Sequence, residues 1–265
     1  MATERIAWAL TADRAIALIY PTYQTSNYTG GEMNLVDITV STTGTVLALG
    51  LDDAATKVHF SQEVFPMDWQ EFNIDLEEGV NASRCDASPS GELFFIRSDQ
   101  QLAKLTIPKK GGKAVKSTLV KGGENVVALS AAPDGQVWVV ALDPNVGSVV
   151  KKMDTKGKWS TIEGIGNAMR VTGTAEGGAY VLTSDGVIHD VPAKGEKGIV
   201  PSSFYASIIT VGPDNRLWAL SSEPQIGGSK VYYTDDNGQN WTPVDNSGAV
   251  AIDAGLITSE VGVGA

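Results

Sequence analysis

Two histidines, His59 and His189, are the side chains best suited to acid–base work at neutral pH in this 265-residue chain. Each lies in a short β-like segment, TKVHFS and GVIHDV. Two imidazoles without a clustered carboxylate motif form a weak metal set, and histidine in a strand of this kind is ordinary packing material. The single cysteine, Cys85, excludes an intramolecular disulfide and a cysteine-based zinc site. Two aspartates, Asp86 and Asp253, fall at matching places in a sequence repeat and offer the oxygen ligands that a hard cation such as Ca2+ prefers. Thr39, Ser130, Thr172 and Thr210 fill the other matching places. Small residues are also what converging sheets need near an axis, with their hydroxyls satisfied by water.

Aromatic residues are the natural candidates for holding a sugar. Its C–H faces lie on rings while flanking polar groups hold the hydroxyls. Trp69, Trp159 and Trp241 each follow a polar turn and lead a strand. The polar, glycine-ended stretch from Tyr20 through Tyr23 to Tyr28 has the composition of an adaptable recognition loop. Trp8, Trp138 and Trp218 sit inside apolar phrases, and packing between sheets is the expected role for them.

The elements that must position these residues come from a repeat. A turn residue followed by a branched, a large and further apolar residues recurs as ERIAWAL, TGTVLAL, SGELFFI, DGQVWVV, EGGAYVL and DNRLWAL. The equivalent large residues are Trp8, Leu47, Phe94, Trp138, Tyr180 and Trp218, spaced 38 to 47 apart, near the ~40–45 of a four-stranded propeller blade. A β-like run precedes every phrase except the first, and one such run, AVAIDAG, stands at the C-terminus with no phrase after it. The two loose ends complete each other if the last strand pairs with the first, closing a ring without free sheet edges. Sustained 3.6-residue periodicity is absent. Even the segment from Asp13, helical by propensity, is assigned to a strand by its place in the repeat. The expectation is all-β: one six-bladed β-propeller over residues 1–265.

The unit Trp159-Ser-Thr-Ile162-Glu-Gly164, then Met169-Arg-Val171, then Glu176-Gly177-Gly-Ala-Tyr180, resembles the repeat of tectonin-type propellers. Trp241 feeding AVAIDAG and Trp69 feeding ASRCDASPSGELFF are two further copies, whereas Lys116 to Leu119 and Gly198 to Val200 lack the leading tryptophan. The resemblance spans nearly the whole chain. It implies a lectin of innate defence, recognising surface glycans through several sites. Thr234-Asp-Asp236-Asn-Gly238-Gln-Asn240-Trp241 also resembles the Asp-box of sialidases, with Asn240 in place of threonine. In that family the box is a structural turn away from the active site.

Composition narrows the remaining classes. The net charge of −11 disfavours nucleic acid and anionic membrane surfaces as partners. The start, MATERIAWAL, does not read as a signal peptide, so a cytoplasmic location is expected, with release or unconventional export still open. The basic run Lys109 to Lys113 reads as a solvated hairpin. A sialidase needs an arginine triad, and the arginines here are scattered. The expected function is non-enzymatic glycan binding through Trp159, Trp241, Trp69, Tyr20, Tyr23 and Tyr28, with no cofactor required. The alternatives are a protein-interaction scaffold and a lactonase-like hydrolase with Ca2+ held by Asp86 and Asp253 in the central tunnel.

Overall fold

The computed structural model describes residues 2–20, 27–28, 34–52, 55–62 and 68–259. They form six antiparallel sheets arranged as a six-bladed β-propeller. No helix occurs among them, and none is long and apolar enough to cross a membrane. The inner strands are Leu35–Val40, Ala82–Ala87, Val126–Ala131, Ala168–Gly173 and Ala206–Val211 in blades 2 to 6. In blade 1 the inner strand is Ala251–Ser259, which pairs antiparallel with Ala2–Leu10 over its whole length, from Leu10↔Ala251 to Ala2↔Ser259. The ring is therefore closed by the two ends of the chain, as the unpaired repeat halves require. Each inner strand contacts the next around the axis.

The large residue of each phrase sits opposite the matching inner-strand position. The cross-strand partners are Trp8↔Asp253, Leu47↔Thr39, Phe94↔Asp86, Trp138↔Ser130, Tyr180↔Thr172 and Trp218↔Thr210. Residues directly opposite share a face of the sheet, so each small polar residue points toward the same neighbouring blade as its large partner, at the axial end of that interface. Trp8, Trp138 and Trp218 are fully buried. Each joins an apolar cluster with the inner strand of the following blade: Trp8 with Leu35 and Ile38, Trp138 with Ala168 and Val171, and Trp218 with Ile252 and Ala254. Where no tryptophan is available, between blades 2 and 3, Phe60, Phe72 and Phe95 fill the gap.

Two details depart from the expected pattern. The sheet of blade 2 has five strands, because Val115–Lys116 adds to its outer edge in parallel, Val115 opposite Ile74. The glycines of the Lys109–Lys113 run make this possible. Gly112 N–H donates to the Glu71 carbonyl (2.7 Å) and Gly111 N–H to Gln70 Oε1 (2.9 Å), and a Cβ on Gly111 would stand 2.5 Å from the Glu71 carbonyl oxygen. The lysines of the run are solvent-exposed, as expected, but the run is no hairpin; its backbone docks on a sheet edge that would otherwise be open to pairing with another chain. Second, five inner strands carry a bulge near their N-terminal ends, between Leu35/Asp37, Ala82/Arg84, Val126/Ala128, Ala168/Arg170 and Ala206/Ile208.

Candidate functional site

Two tiers of residues face the axis. The deeper one consists of Thr39, Asp86, Ser130, Thr172, Thr210 and Asp253, and its side chains fasten each blade to the next. Ala87 N–H donates to Thr39 Oγ1 (3.3 Å), Ala131 N–H to Asp86 Oδ2 (2.8 Å), Gly173 N–H to Ser130 Oγ (3.1 Å) and Val211 N–H to Thr172 Oγ1 (3.1 Å). Thr210 Oγ1 donates to Asp253 Oδ1 (2.8 Å), and Val40 N–H donates to Asp253 Oδ2 (2.7 Å). All six joints are bridged in this way. Inner strands have no ladder partner on the axial side, so the side chains satisfy main-chain donors that would otherwise be buried unpaired.

The structure does bring Asp86 and Asp253 together, with Thr39 between them: its hydroxyl lies 2.8 Å from Asp86 Oδ1 and 3.0 Å from Asp253 Oδ2. A hydroxyl carries one proton and can donate to only one of the two. Asp253 accepts from Val40 N–H, Ala254 N–H and Thr210 as well, which suits an ionised carboxylate. The arrangement closes if Asp86 is protonated, donating to Thr39, which donates to Asp253. The electrostatics agree. Burial first, and the charge of Asp253 second, raise Asp86 to about 8, and burial raises Asp253 too. Each oxygen of the pair accepts at least one N–H or O–H, so a cation there would have to displace these donors. Among the described residues no group of three or more His, Cys, Asp or Glu side chains is placed to hold a metal ion. His59 and His189 lie in blades 2 and 5 and do not meet; His59 is buried with Nδ1 3.8 Å from Glu71.

The second tier lies two residues earlier: Asp37, Arg84, Arg170, Ile208 and Ala251 line it, while blade 4 has Ala128, packed in the core, at that position. A cavity of about 70 Å³ opens here and reaches down to Asp86 and Asp253. Asp37 repeats the deeper tier's device, accepting Cys85 N–H at 2.9 Å. Burial dominates its titration and raises it to about 6, against the pull of Arg84. Burial and the neighbouring Arg84 lower Arg170 to about 10. The Cys85 thiol is pushed well up by burial and by the three aspartates, so it is not a reactive thiolate. Sequence reading did not single out Asp37, Arg84 and Arg170. The available signal was a charged residue two places before the axial position in an otherwise apolar strand.

The outer tryptophans lean back onto the preceding blade. Trp159 Nε1–H donates to the Lys121 carbonyl (2.8 Å) and Trp241 Nε1–H to the Pro201 carbonyl (2.7 Å). Trp159 packs with the cluster of Phe94 and Leu102, Trp241 with that of Ile188 and Val200, and Trp69 with that of Ile6 and Trp8. All three are half-buried, and a Cβ on Gly122 would meet the Trp159 ring at 2.8 Å. Tyr20 is half-buried against the cluster shared by blades 1 and 2. Tyr28 pairs with Ile16 in the short strand Asn27–Tyr28, and Tyr23 lies outside the described residues. The Asp-box-like segment forms the expected turn. Thr234 Oγ1 donates to Asp236 Oδ1 (2.7 Å), Asn240 N–H donates to the same oxygen (2.8 Å), and Gly238 takes φ +84.

Beside Trp241, between blades 5 and 6, lies a groove of about 500 Å³ lined by Asp185, Ile199, Ser203, Phe204 and Tyr205 among others. Phe204 meets the Trp241 ring edge-on (centroids 5.0 Å apart) and stacks on Tyr232 (4.2 Å). Tyr205, 46% exposed, donates its hydroxyl to the Ser184 carbonyl, and its ring lies where a Cβ on Gly186 would be. A smaller hollow of about 280 Å³, lined by Glu92, Lys104, Lys121 and Asp154 among others, adjoins Trp159 between blades 3 and 4.

No protein-family model and no curated protein matches the chain. Solved structures do. A TolB candidate from Agrobacterium tumefaciens superposes with a TM-score of 0.64 at 12% identity, covering 98% of this chain and 100% of its own. YCF48 bound to a D1 peptide gives 0.55 at 13% identity over 92% and 80% of the two chains. The calcium-binding protein regucalcin of Agrobacterium tumefaciens gives 0.51 at 12% identity over 83% and 78%. Identities this low establish the propeller fold and leave function to be argued from the site.

Proposed function

We propose that the protein is a non-catalytic recognition propeller that binds carbohydrate in the groove between blades 5 and 6. The observation that carries this reading is Tyr205, a half-exposed ring that lies over Gly186 and is tethered by its hydroxyl to the Ser184 carbonyl, beside the Trp241–Phe204 cluster. A fixed ring binds a sugar face without paying to become ordered, and the exposed Asp185 and Ser203 supply polar partners for its hydroxyls. The groove volume is within the range of small-ligand sites. Trp241 and Trp159, whose indole N–H groups are already donated to main-chain carbonyls, position the rims, whereas Trp69 packs between blades 1 and 2, away from both hollows. The hollow at Trp159 is the counterpart for a second, weaker site, and two such sites on one decorated surface raise avidity. This keeps the tectonin-like, defence-related lectin reading, with glycans as partners and no cofactor.

A second reading, a protein-interaction scaffold, is favoured by the similarity to YCF48, whose structure contains a peptide. A glycan array with the wild type and Tyr205→Ala separates the two. Sugar-competable binding that Tyr205→Ala removes supports the groove. A blank array, with a protein partner captured regardless of free sugar, replaces it with the scaffold. A lactonase-like hydrolase would instead show activity that a chelator abolishes.

A further inference from the structure

Charged groups in this protein are mostly accounted for, which makes the exceptions informative. Arg97 is held by Glu77 and Asp99, and Arg216 is gripped by both oxygens of Asp235, its one unbonded nitrogen, Nη1, belonging to a guanidinium that lies over the Tyr233 and Trp218 rings. At the axial mouth the accounting fails. Arg84 makes no hydrogen bond or ion pair among the described residues. Arg170 makes one, from Nη1 to the carbonyl of its own neighbour Met169 (2.9 Å), while its buried Nε has no partner. A guanidinium has five N–H donors, and a buried unpaired donor is costly. Arg170 carries such a donor, and Arg84, half-buried, lines the same cavity from blade 3; packing does not require either, since blades 6 and 1 line it with Ile208 and Ala251. Arg84 and Arg170 stand in regular register with Asp86 and Thr172, two residues on, and so share their face.

We propose that the axial mouth is a carboxylate-binding site, in which Arg84 and Arg170 take the oxygens of a carboxylate group entering along the propeller axis. The cavity, about 70 Å³, has room for about two waters at ~30 Å³ each. A carboxylate group fits that space end-on, with the rest of its molecule outside. The planar fork of arginine matches two carboxylate oxygens in a way lysine cannot. The groups facing the site are Arg84, Arg170, Asp37, Asp86, Asp253 and the thiol of Cys85. With Asp86 protonated, two cations stand against Asp37 and Asp253. Protonating Asp37 removes one repulsive charge, so binding tightens as pH falls through the range where Asp37 titrates. The overall charge of −11 opposes anions at long range, but screening limits that field to about 8–10 Å in ordinary salt.

The test follows the arginine Nε–Hε signals of the nitrogen-15-labelled protein while sodium acetate is added, with sodium chloride at equal ionic strength as reference. Acetate should shift the Arg170 signal to saturation and chloride should not. Arg84→Met should weaken acetate by about tenfold or more, and binding should be tighter at about pH 5.5 than at about pH 7.5. The wild-type titration needs no variant to fold. A shift no larger than that from chloride overturns the site, and inorganic phosphate binding better than acetate overturns the carboxylate assignment. A short acetylated peptide with a free C-terminus is then compared with its amidated form. Displacement of acetate by the free form alone makes a chain end the source; displacement by neither makes it a small free acid, and either result upholds the site.

Discussion

The two tiers of the channel are built from the same strands, two residues apart, and use charge in opposite ways. In the deeper tier each side chain is hydrogen-bonded to the neighbouring blade, accepting from its main chain or, for Thr210, donating to its carboxylate, and the carboxylates close the ring. In the outer tier only Asp37 does so, and two guanidiniums keep most of their donors unused. A polar residue at an axis is therefore no sign of chemistry in itself. What distinguishes architecture from recognition is whether the group's hydrogen-bonding capacity is spent inside the protein.

The sharpest way to break this contrast is at Asp253. Asp253→Ala removes an acceptor shared by Val40, Ala254, Thr210 and Thr39, and the donors it leaves buried should cost about 3–5 kcal/mol by chemical denaturation. That is a large share of a domain's ~5–15 kcal/mol. In the outer tier, Arg170→Met should do the reverse, raising the thermal midpoint because an unpaired buried charge is removed. It should abolish the acetate response at the same time.

The pH dependence of stability sharpens the picture further. A carboxyl raised on folding binds more protons in the native than in the unfolded state. Stability from Asp86 is therefore complete below the ordinary aspartate range and is lost as pH rises through about 8. The slope is at most about 1.4 kcal/mol per pH unit for one proton. Asp37 adds a smaller loss ending near 6. Below about pH 4 the sign reverses, because Asp99, Asp154 and Asp236, whose folded values are lowered by their hydrogen bonds, become protonated. The smallest expected effect is at the outer groove. Tyr205→Ala should leave stability nearly unchanged and weaken glycan binding about three- to tenfold, as ring contacts worth ~0.5–1.5 kcal/mol allow; the array and a melting curve check both.

Much of the architecture was legible because the repeat obeys simple geometry. The phrase spacing suffices to align Trp8 with Trp218, and Asp253 with Thr210, as equivalent positions of different blades; that each tryptophan stands cross-strand from its own blade's polar residue is what the structure adds. The unpaired halves at the two ends suffice to predict closure. The extra strand Val115–Lys116 was not legible, since two residues carry no pattern and its partner edge is set by the glycine approach at Gly111. The site was read only in part. Asp86 and Asp253 were rightly placed in one tier, but that their oxygens are consumed by backbone amides depends on blade-to-blade stagger. Alternation puts Arg84 and Arg170 on the same face as Asp86 and Thr172, two residues on, but the other blades carry no arginine at that level, so no repeated pattern marks the pair. Tyr205 lies in a connection between blades, where no repeat constrains it.

The claim that the axial carboxylates are a proton-sharing closure and not an ion site is tested most directly by thermal unfolding of the wild type and Asp86→Asn at about pH 5.5 and about pH 8.5, each with and without added calcium. Asparagine can accept from Ala131 and donate to Thr39 but presents an amide N–H to Ala87, so its midpoint should be lower. Its difference between the two pH values should nonetheless shrink markedly, and calcium should move neither protein. A wild type that is more stable at the higher pH, or one stabilised by calcium in a way that Asp86→Asn abolishes, would contradict the account.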